Sequence, residues 1–313
     1  MKLYIGDHLG QHKTTHEMEK WFVNKGHEVQ WDMYYEPAKA EWADVIFFEW
    51  CEGMMALCLK DGWGKKKPVY ARAMDIEIWA GQAAREDITD LTGLAYTSKA
   101  LFEIMKNDDE WYKKYPHVPT YHIPLSIDVN KWTYKKRNKG YNVAILGHMW
   151  DAKGPQMIPQ FVRYLIDKTR DDNWKFYVQG NWRHDVWKWY YEYFKHIVKE
   201  LKLEDNIILS EEKVDSVDQW LENKNYLVTF SMKDAFSIPV AEAMAKGIKA
   251  LPHNFLGAKD IWEEHVWSTF DELKKMMFDE DYNSEEYREY VTSRYDNTVI
   301  MPKWEKLFLQ KNI

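Results

Sequence analysis

Two carboxylates, Asp234 and Glu242, stand with seven residues between them in the stretch Asp-Ala-Phe-Ser-Ile-Pro-Val-Ala-Glu. Pro239 is typical of a first helical turn and Gly247 of a helix end, so we predict a short helix over Pro239–Lys246. Backbone N–H groups at a helix start lack helical partners and can bind phosphate. The segment therefore predicts a phosphate-binding site with two acidic side chains beside it.

The elements around this segment decide where the carboxylates lie. Tyr226–Phe230 is a short apolar run rich in β-forming residues, which predicts a strand just before the loop that carries Asp234. In open α/β sheets, ligands bind at the carboxyl ends of the strands. We therefore expect Asp234 to lie in a ligand-binding loop and Glu242 to point toward the same crevice from the first turns of the helix.

A second segment supplies positive charge. The run from Asn142 to Gly147 is an apolar strand pattern that ends in glycine, and His148, Lys153 and Gly154 follow it. Lysine is a permanent cation near neutral pH, whereas histidine is charged only when protonated. The segment predicts a strand followed by a loop that can bind a phosphate.

Both segments resemble the signature of retaining GT-B glycosyltransferases, glycosyltransferase family 4 (glycosyl transferases group 1). In that family an acidic residue precedes Gly-Phe-Gly-Leu-Pro and Glu-Ala-Met-x-x-Gly. Here Asp234 replaces the usual Glu, and Ala235 and Ser237 replace the glycines. The earlier segment resembles the family's Gly-Arg-x-x-x-x-Lys-Gly, with His148 in place of the Arg and Lys153 at the Lys.

The resemblance implies a glycosyltransferase that uses a nucleotide-sugar donor, a UDP- or GDP-sugar. We expect it to require no cofactor and no metal, because no credible metal-ligand cluster accompanies the site in the sequence. It assigns catalytic roles to Asp234, which would contact the donor sugar, and to Lys153, which would contact the diphosphate. Glu242 would bind the ribose hydroxyls. The implied donor-binding residues are Gly10, His148, Lys153, Ala235, Phe236, Ser237, Ile238 and Glu242. Arg183 is a further donor-binding candidate from its position alone, because it follows a predicted strand that ends near Gly180. Retention of the anomeric configuration follows from the resemblance alone.

The rest of the chain alternates strand and helix patterns, as α/β proteins with parallel sheets do. Lys2–Gly6 reads as the first strand. The resemblance implies the GT-B fold, in which two Rossmann-like, doubly wound domains face a central cleft. We expect an N-terminal acceptor domain over residues 1–136, a C-terminal donor domain over 140–296, and a helix over 297–313 that crosses back to the first domain. The apolar stripe of Met301–Lys311 predicts that helix.

Composition sets the broad class of protein. The chain has 313 residues, of which 45% are hydrophobic, and this is enough for two ordinary cores. No apolar run approaches the roughly 18 residues of a membrane span, and no signal-peptide pattern is present. We therefore expect no integral membrane segment and a cytoplasmic protein, in which Cys51 and Cys58 are packed thiols.

A net charge of −7 argues against a broad nucleic-acid-binding surface. The segment Lys135–Gly140 is an exception, because it is basic and rich in turn-forming residues. It falls between the two predicted halves, so we interpret it as an interdomain linker. A local basic binding strip is the alternative.

Aromatic residues make up 16% of the chain and concentrate in one segment, Trp182–Phe194. Four of them recur there at helical spacing: Trp187, Tyr190, Tyr191 and Phe194. The pattern predicts a helix whose large apolar face packs on a sheet. The alternatives are a stacking platform for a sugar or base and an interfacial membrane helix, which would allow peripheral membrane contact.

The segment Asp279–Asp281 has the Asp-x-Asp pattern of metal-dependent glycosyltransferases, but no apolar strand precedes it. We interpret it as a solvated acidic loop. Two alternatives to a glycosyltransferase stay open: another enzyme of the same fold, such as a nucleotide-sugar epimerase or a phosphorylase, and a noncatalytic sugar-nucleotide-binding protein. The acceptor is unidentified, since a glycan, a lipid, a small molecule and a nucleic acid are all compatible with the sequence.

Overall fold

The computed structural model describes residues 1–10, 13–79, 86–108, 113–182, 184–210 and 214–310. The chain forms two compact units. One comprises Met1–Asp128 and the C-terminal segment that begins at Arg294, and the other comprises Val129–Ser293. Each unit is built around one β-sheet in which all paired strands are parallel.

The sheet of the first unit has the strand order β2-β1-β3-β4-β5-β6. Its strands are β1 (Lys2–Gly6), β2 (Glu28–Asp32), β3 (Val45–Phe48), β4 (Val69–Ala73), β5 (Gly93–Tyr96) and β6 (Thr120–His122). The helices that follow these strands are α1 (Lys13–Asn24), α2 (Pro37–Trp42), α3 (Gly53–Lys60), α4 (Ile76–Trp79) and α5 (Lys99–Asp108). A short 3₁₀ turn covers Trp63–Lys65, and another, at Val129–Lys131, begins the second unit.

Central strands of the first unit are buried on both faces, which is the reason that they read as continuous apolar runs. All four residues of β3 are buried. Val45 and Phe47 belong to one hydrophobic cluster, and Ile46 and Phe48 belong to another. The alternation follows from the two-residue period of a strand and produces a three-layer arrangement around the sheet.

The sheet of the second unit has the order β11-β10-β7-β8-β9. Its strands are β7 (Asn142–Leu146), β8 (Lys175–Gln179), β9 (Ile207–Ser210), β10 (Tyr226–Val228) and β11 (Lys249–Leu251). Its helices are α6 (Met157–Thr169), α7 (His184–Glu200), α8 (Val217–Trp220), α9 (Ile238–Ala245), α10 (Ala258–Trp262), α11 (Phe270–Phe278) and α12 (Ser284–Tyr295), with 3₁₀ turns at Asp151–Lys153 and Glu263–His265. Apolar residues of α6 at helical spacing, such as Phe161 and Leu165, share one core with Val143 and Phe176.

The C-terminal helix, α13 (Asn297–Leu309), begins ahead of the apolar stripe Met301–Lys311 that indicates it in the sequence. Asp296 caps it, because its carboxylate accepts the backbone N–H of Thr298 at 3.0 Å. Pro302 therefore lies inside the helix rather than before it. Five apolar side chains of α13 are buried and outweigh the roughly 3 kcal/mol cost of an internal proline: Ile300, Met301, Trp304, Leu307 and Phe308.

The basic segment Lys135–Gly140, interpreted from the sequence as an interdomain linker, lies instead within the second unit, which begins at Val129. The Arg137 guanidinium is buried and donates to backbone carbonyls, including those of Glu222 at 2.8 Å and Lys246 at 3.1 Å. Lys135 donates to the Glu222 carboxylate at 2.7 Å. Two of its cations are thus engaged within the unit, which argues against the alternative of a nucleic-acid-binding strip.

The aromatic helix α7 divides its side chains between the core and solvent. Tyr190 and Phe194 are buried, which confirms the packing interpretation for both. Trp189 and Tyr193 are 61% and 46% exposed. The side chain of Trp187 lies outside the described part of the chain. Within the described ranges, no helix combines the length and apolarity needed to cross a membrane.

Both cysteines, Cys51 and Cys58, are buried free thiols, as predicted. Burial raises the pKa of the Cys58 thiol to about 12 and the pKa of Cys51 well above its ordinary value. A thiol that resists ionisation is a poor nucleophile. The two cysteines therefore serve packing rather than chemistry.

A buried ion pair lies where β3 and β4 end. Arg72 Nη2 donates to the two carboxylate oxygens of Glu49 at 2.5 and 2.6 Å and to the Thr14 hydroxyl at 3.0 Å. The Arg72 guanidinium also lies 5.3 Å from the centre of the Trp304 ring, which belongs to α13. Arg72 therefore connects the C-terminal helix to the carboxyl ends of the two central strands of the first sheet. Removing one partner of such a pair would leave a buried charge uncompensated.

A second buried carboxylate, Glu77 of α4, has no cation among its hydrogen-bond partners in the described structure. It accepts the backbone N–H groups of Cys51 at 3.1 Å and Met74 at 3.2 Å. Burial raises the pKa of Glu77 to about 8, although these N–H groups act in the opposite direction. Glu77 is therefore protonated at neutral pH in the folded protein.

We expect Glu77→Gln to remove a pH dependence of stability. The folded-state pKa lies above the unfolded-state value, so stability is full below about pH 4.5 and is lost as pH rises toward about 8. The slope in this window should reach about 1.4 kcal/mol per pH unit. Urea denaturation of both proteins between pH 5 and 8.5 measures it. Glu103→Gln, on an exposed part of α5, should leave the slope intact, and parallel profiles for wild type and Glu77→Gln would contradict the assignment.

Candidate active site

The topology of the second sheet places two loops side by side. β7 and β10 are neighbours, but β8 lies on one side of β7 and β11 lies on the far side of β10. The chain therefore leaves the carboxyl ends of β7 and β10 in opposite directions, which opens a crevice at this point of the sheet. The loops that follow these strands, residues 147–154 and 229–237, carry the two motifs that predict the site in the sequence.

Backbone contacts fix the two loops to each other. The Met232 N–H donates to the Ala152 carbonyl at 2.9 Å. Gly154 has φ +59°, and a Cβ atom there would lie 2.3 Å from the carbonyl oxygen of Phe230. Both the left-handed backbone and the close approach require glycine at this position. The loop after β7 thus holds its position against the loop after β10.

This contact brings Lys153 and Asp234 together. Lys153 Nζ donates to Asp234 Oδ2 at 2.7 Å, and the side chains are 27% and 13% exposed. Asp234 Oδ1 accepts the backbone N–H of Ser237 at 3.0 Å and lies 3.4 Å from that of Phe236. The carboxylate is therefore held by the backbone on one side, and by the lysine on the other.

Helix α9 begins directly after the loop that carries Asp234. The helix begins at Ile238, with Pro239 in its first turn, close to the predicted boundary. Ser237, the residue before it, adopts φ 70° and ψ 73° and makes no side-chain capping bond. This left-handed conformation suits the glycine of the family pattern and costs a residue with a Cβ about 1–2 kcal/mol.

The other candidates in this loop and helix are largely enclosed. Ala235, Phe236 and Ser237 are buried, and Ile238 is half-buried. The Phe236 carbonyl accepts the indole N–H of Trp262 at 2.8 Å, and the two rings lie 5.1 Å apart. Side chains in this stretch therefore shape the loop, whereas backbone groups and the Asp234 carboxylate provide its polarity.

Three further candidates occupy different surroundings. His148 is exposed in the loop after β7, and Glu242 is 2% exposed in α9. Gly10 belongs to the first unit, where it closes a turn with φ +65° by donating its N–H to the Asp7 carbonyl at 3.1 Å. Arg183 lies outside the described residues. The roles of these residues toward a donor stay predictions.

The acidic segment Asp279–Asp281 follows α11 and is exposed. Across the part of the chain that the structure describes, no group of three or more His, Cys, Asp or Glu side chains is arranged to hold a metal ion. The Asp281 carbonyl instead accepts Lys249 Nζ at 3.1 Å. The segment thus contributes to the packing of the second unit.

Sequence patterns missed two contributions to the site. The Ala152 carbonyl and the Phe230 carbonyl position the loops through backbone contacts that no side-chain motif records. His253, which follows β11, lies with its Nδ1 2.9 Å from the Ser231 carbonyl oxygen and supports the start of the same loop. No motif in the sequence marks this histidine.

The comparison with protein families gives one match of wide extent. The model described as "Glycosyl transferases group 1" matches residues 126–304, which is more than half of the chain and includes both loops. The chain belongs to the glycosyl transferases group 1 family. It is a glycosyltransferase, and family membership favours catalysis over the noncatalytic alternative. A comparison with curated protein sequences gives no significant match.

Solved structures share the fold at low sequence identity. A glycosyltransferase from Rickettsia africae is 12% identical with a TM-score of 0.74, and the match covers 100% of this chain and 99% of that one. Sucrose-phosphate synthase from Thermosynechococcus elongatus is 12% identical with a TM-score of 0.73, over 99% and 98% of the two chains. Anabaena HepE, solved in complex with UDP and glucose, is 12% identical with a TM-score of 0.71, over 98% and 99%.

The chain spans 55% of the length of TarM, which is 13% identical with a TM-score of 0.67. The matched structures of full coverage are glycosyltransferases of the GT-B class, so the predicted GT-B fold is confirmed. At these identities the likeness establishes the fold, and the residues of the site must be argued from their own geometry.

We expect Ser237→Gly to leave stability unchanged or to raise it by up to about 1 kcal/mol, because relief of the left-handed strain offsets the extra freedom of glycine in the unfolded chain. Ser237→Val should lower stability by about 2 kcal/mol or more, since a β-branched residue fits this conformation poorly. Urea denaturation gives both values. Ser231→Gly in the same loop has no positive φ to relieve and should be destabilising. Equal losses in the two glycine variants would show that Ser237 is unstrained.

Proposed function

We propose that the enzyme transfers a sugar from a nucleotide-sugar, a UDP- or GDP-sugar, to an acceptor with retention of the anomeric configuration. The observation that carries this proposal is the Lys153–Asp234 ion pair at the carboxyl ends of β7 and β10. A cation and a carboxylate at one place match the two sides of the bond that breaks, which are the diphosphate and the sugar. UDP in the HepE structure supports this class of donor.

The leaving group sets the first requirement. In transfer, the bond between the sugar and the diphosphate breaks, the acceptor oxygen bonds to the anomeric carbon, and the acceptor proton goes to the departing phosphate. Positive charge placed beforehand stabilises the developing anion. Lys153 supplies this charge, and the N-terminus of α9 adds its partial positive charge. His148, exposed in the same loop as Lys153, is proposed as an additional contact.

The sugar and the ribose set the second requirement. The oxocarbenium-like transition state carries positive charge, and a carboxylate can stabilise it and accept hydroxyl donors. Asp234 is the proposed carboxylate for the sugar. Glu242 is proposed to accept the ribose hydroxyls, for which its buried carboxylate provides a strong acceptor.

The acceptor remains one of four classes: a glycan, a lipid, a small molecule or a nucleic acid. We propose the cytoplasm as the compartment, since it keeps buried free thiols such as Cys51 and Cys58 reduced. A thermal-shift panel of UDP- and GDP-sugars tests the donor class, because a ligand at about a hundred times its Kd stabilises by roughly 2.7 kcal/mol. Donor turnover and the configuration of the product then test transfer and retention. A panel without any shift or turnover would overturn the proposal.

We expect Glu242→Gln to weaken binding of the preferred nucleoside diphosphate about tenfold, the effect of losing one charge-assisted hydrogen bond. Glutamine is isosteric, so the buried site in α9 stays filled. The discriminating measurement compares the ribonucleotide with its 2′-deoxy and 3′-deoxy analogues by calorimetry. Wild type should prefer the ribonucleotide, and the variant should lose much of that preference. A preference that survives in the variant would remove Glu242 from the ribose site.

We also expect transfer to persist in excess EDTA, because Lys153 supplies the positive charge that a divalent ion provides in metal-dependent enzymes. The initial rate should remain within about twofold after EDTA treatment, whereas Lys153→Ala should lower it by a hundredfold or more, roughly 2.7 kcal/mol of transition-state stabilisation. Initial rates with and without added magnesium measure this. Complete loss of activity that magnesium restores would show that a metal ion carries the charge instead.

A further inference from the structure

The Lys153–Asp234 pair bears on the relative affinity of the site for the free nucleoside diphosphate and for the intact nucleotide-sugar. We propose that Asp234 makes the site discriminate against the free nucleoside diphosphate and in favour of the intact nucleotide-sugar, because it competes with the free diphosphate for Lys153. The inference rests on the proposed function, in which Lys153 binds the diphosphate. It adds a role for Asp234 in product release that is separate from its contact with the sugar.

The two partners of the pair differ in freedom. Asp234 is 13% exposed and its Oδ1 is bound by the Ser237 N–H at 3.0 Å, so the backbone fixes the carboxylate. Lys153 is more exposed, at 27%, and has a flexible four-carbon side chain. A phosphate that binds Lys153 must therefore either share the ammonium with a carboxylate that stays in place or draw the ammonium away from it.

Electrostatics gives the direction of the effect. A phosphate oxygen that hydrogen-bonds Lys153 at about 2.8 Å would lie within about 5.5 Å of the Asp234 oxygen, if the lysine stays close to its present position. Like charges at this distance in a partly buried site repel strongly enough to weaken binding on the order of tenfold. The terminal phosphate of a free diphosphate carries more negative charge than the same phosphate esterified to a sugar. Asp234 therefore repels the product more than the substrate.

The sugar of an intact donor offsets the repulsion between Asp234 and the diphosphate. Its hydroxyl groups can donate to Asp234 and replace the hydrogen bond that the carboxylate loses when Lys153 turns to the phosphates. Once the sugar has left, this compensation is gone and the phosphate has gained charge. Asp234 and the diphosphate then compete for the same ammonium group, which favours release of the diphosphate.

The test is the affinity of Asp234→Asn for UDP, GDP, UDP-glucose and GDP-glucose, measured by calorimetry at one pH. The asparagine Oδ1 can still accept the Ser237 N–H, so the loop should keep its conformation. We expect the variant to bind the preferred free diphosphate about tenfold more tightly than wild type does, while affinity for its sugar conjugate is unchanged or weaker. Turnover should fall, and inhibition by the free diphosphate should become stronger.

Asp151→Asn is the matched control. It removes the same charge from the loop that carries Lys153, and its side chain accepts only the neighbouring Ala152 N–H at 2.8 Å among the bonds described. Both affinities should stay within about twofold of wild type. Asp234→Glu restores a carboxylate and should restore discrimination against the free diphosphate. Lys153→Ala should weaken binding of the free diphosphate. In the double variant with Asp234→Asn, the gain in diphosphate affinity that Asp234→Asn produces alone should be absent.

The outcomes separate the two proposals. If wild type binds free diphosphates and their sugar conjugates but Asp234→Asn binds the free diphosphate no more tightly, the discrimination is overturned and the proposed donor class stands. If Asp151→Asn tightens binding equally, a general charge effect replaces the specific competition, which also overturns the inference. If wild type binds none of the four nucleotides, the proposed donor class fails and the inference falls with it.

Discussion

The candidate site depends on one close approach of two backbone segments. Gly154 packs against the Phe230 carbonyl so tightly that a Cβ atom would lie 2.3 Å from the oxygen, and Met232 donates to Ala152 beside it at 2.9 Å. The loops after β7 and β10 would otherwise be free to separate, since they leave the sheet in opposite directions. Their contact converts two remote sequence motifs into one cation–carboxylate pair and limits the conformational entropy that a ligand must remove on binding.

Much of this arrangement could be predicted from the sequence where the signal is local. The first strand, Lys2–Gly6, is found as predicted, and α9 (Ile238–Ala245) begins within a residue of the predicted start. Contacts between distant segments left no such signal. The left-handed conformation of Ser237 cannot be predicted from its residue type, because serine rarely adopts it. The apolar stripe Met301–Lys311 marks only part of the C-terminal helix, since local propensity does not reveal that burial of residues on both sides of Pro302 extends the helix backward to Asn297.

The departures from the family pattern acquire physical meaning from the same geometry. Ser237 takes the conformation that glycine accepts without strain, so the fold of the loop outweighs the preference of this residue. Ala235 is buried, and its small side chain retains most of the space that glycine would leave. Asp234 is shorter than the usual glutamate, yet it reaches both Lys153 at 2.7 Å and the Ser237 N–H at 3.0 Å. The shorter side chain thus keeps the carboxylate close to the loop, where the backbone N–H of Ser237 fixes it.

Comparison of two ion pairs shows why burial must be weighed with distance. Arg72 and Glu49 are 2% and 0% exposed and both bond Thr14, so each charge has a partner within the first unit and neither is accessible to a ligand. Lys153 and Asp234 lie at a similar distance, 2.7 Å against 2.5 Å, but are 27% and 13% exposed. A fully buried pair would pay a large desolvation cost if it were broken, whereas a partly solvated pair can exchange partners at small net cost. Of these two pairs, only Lys153 and Asp234 combine charges that are positioned in advance with the freedom to bind a substrate in place of each other.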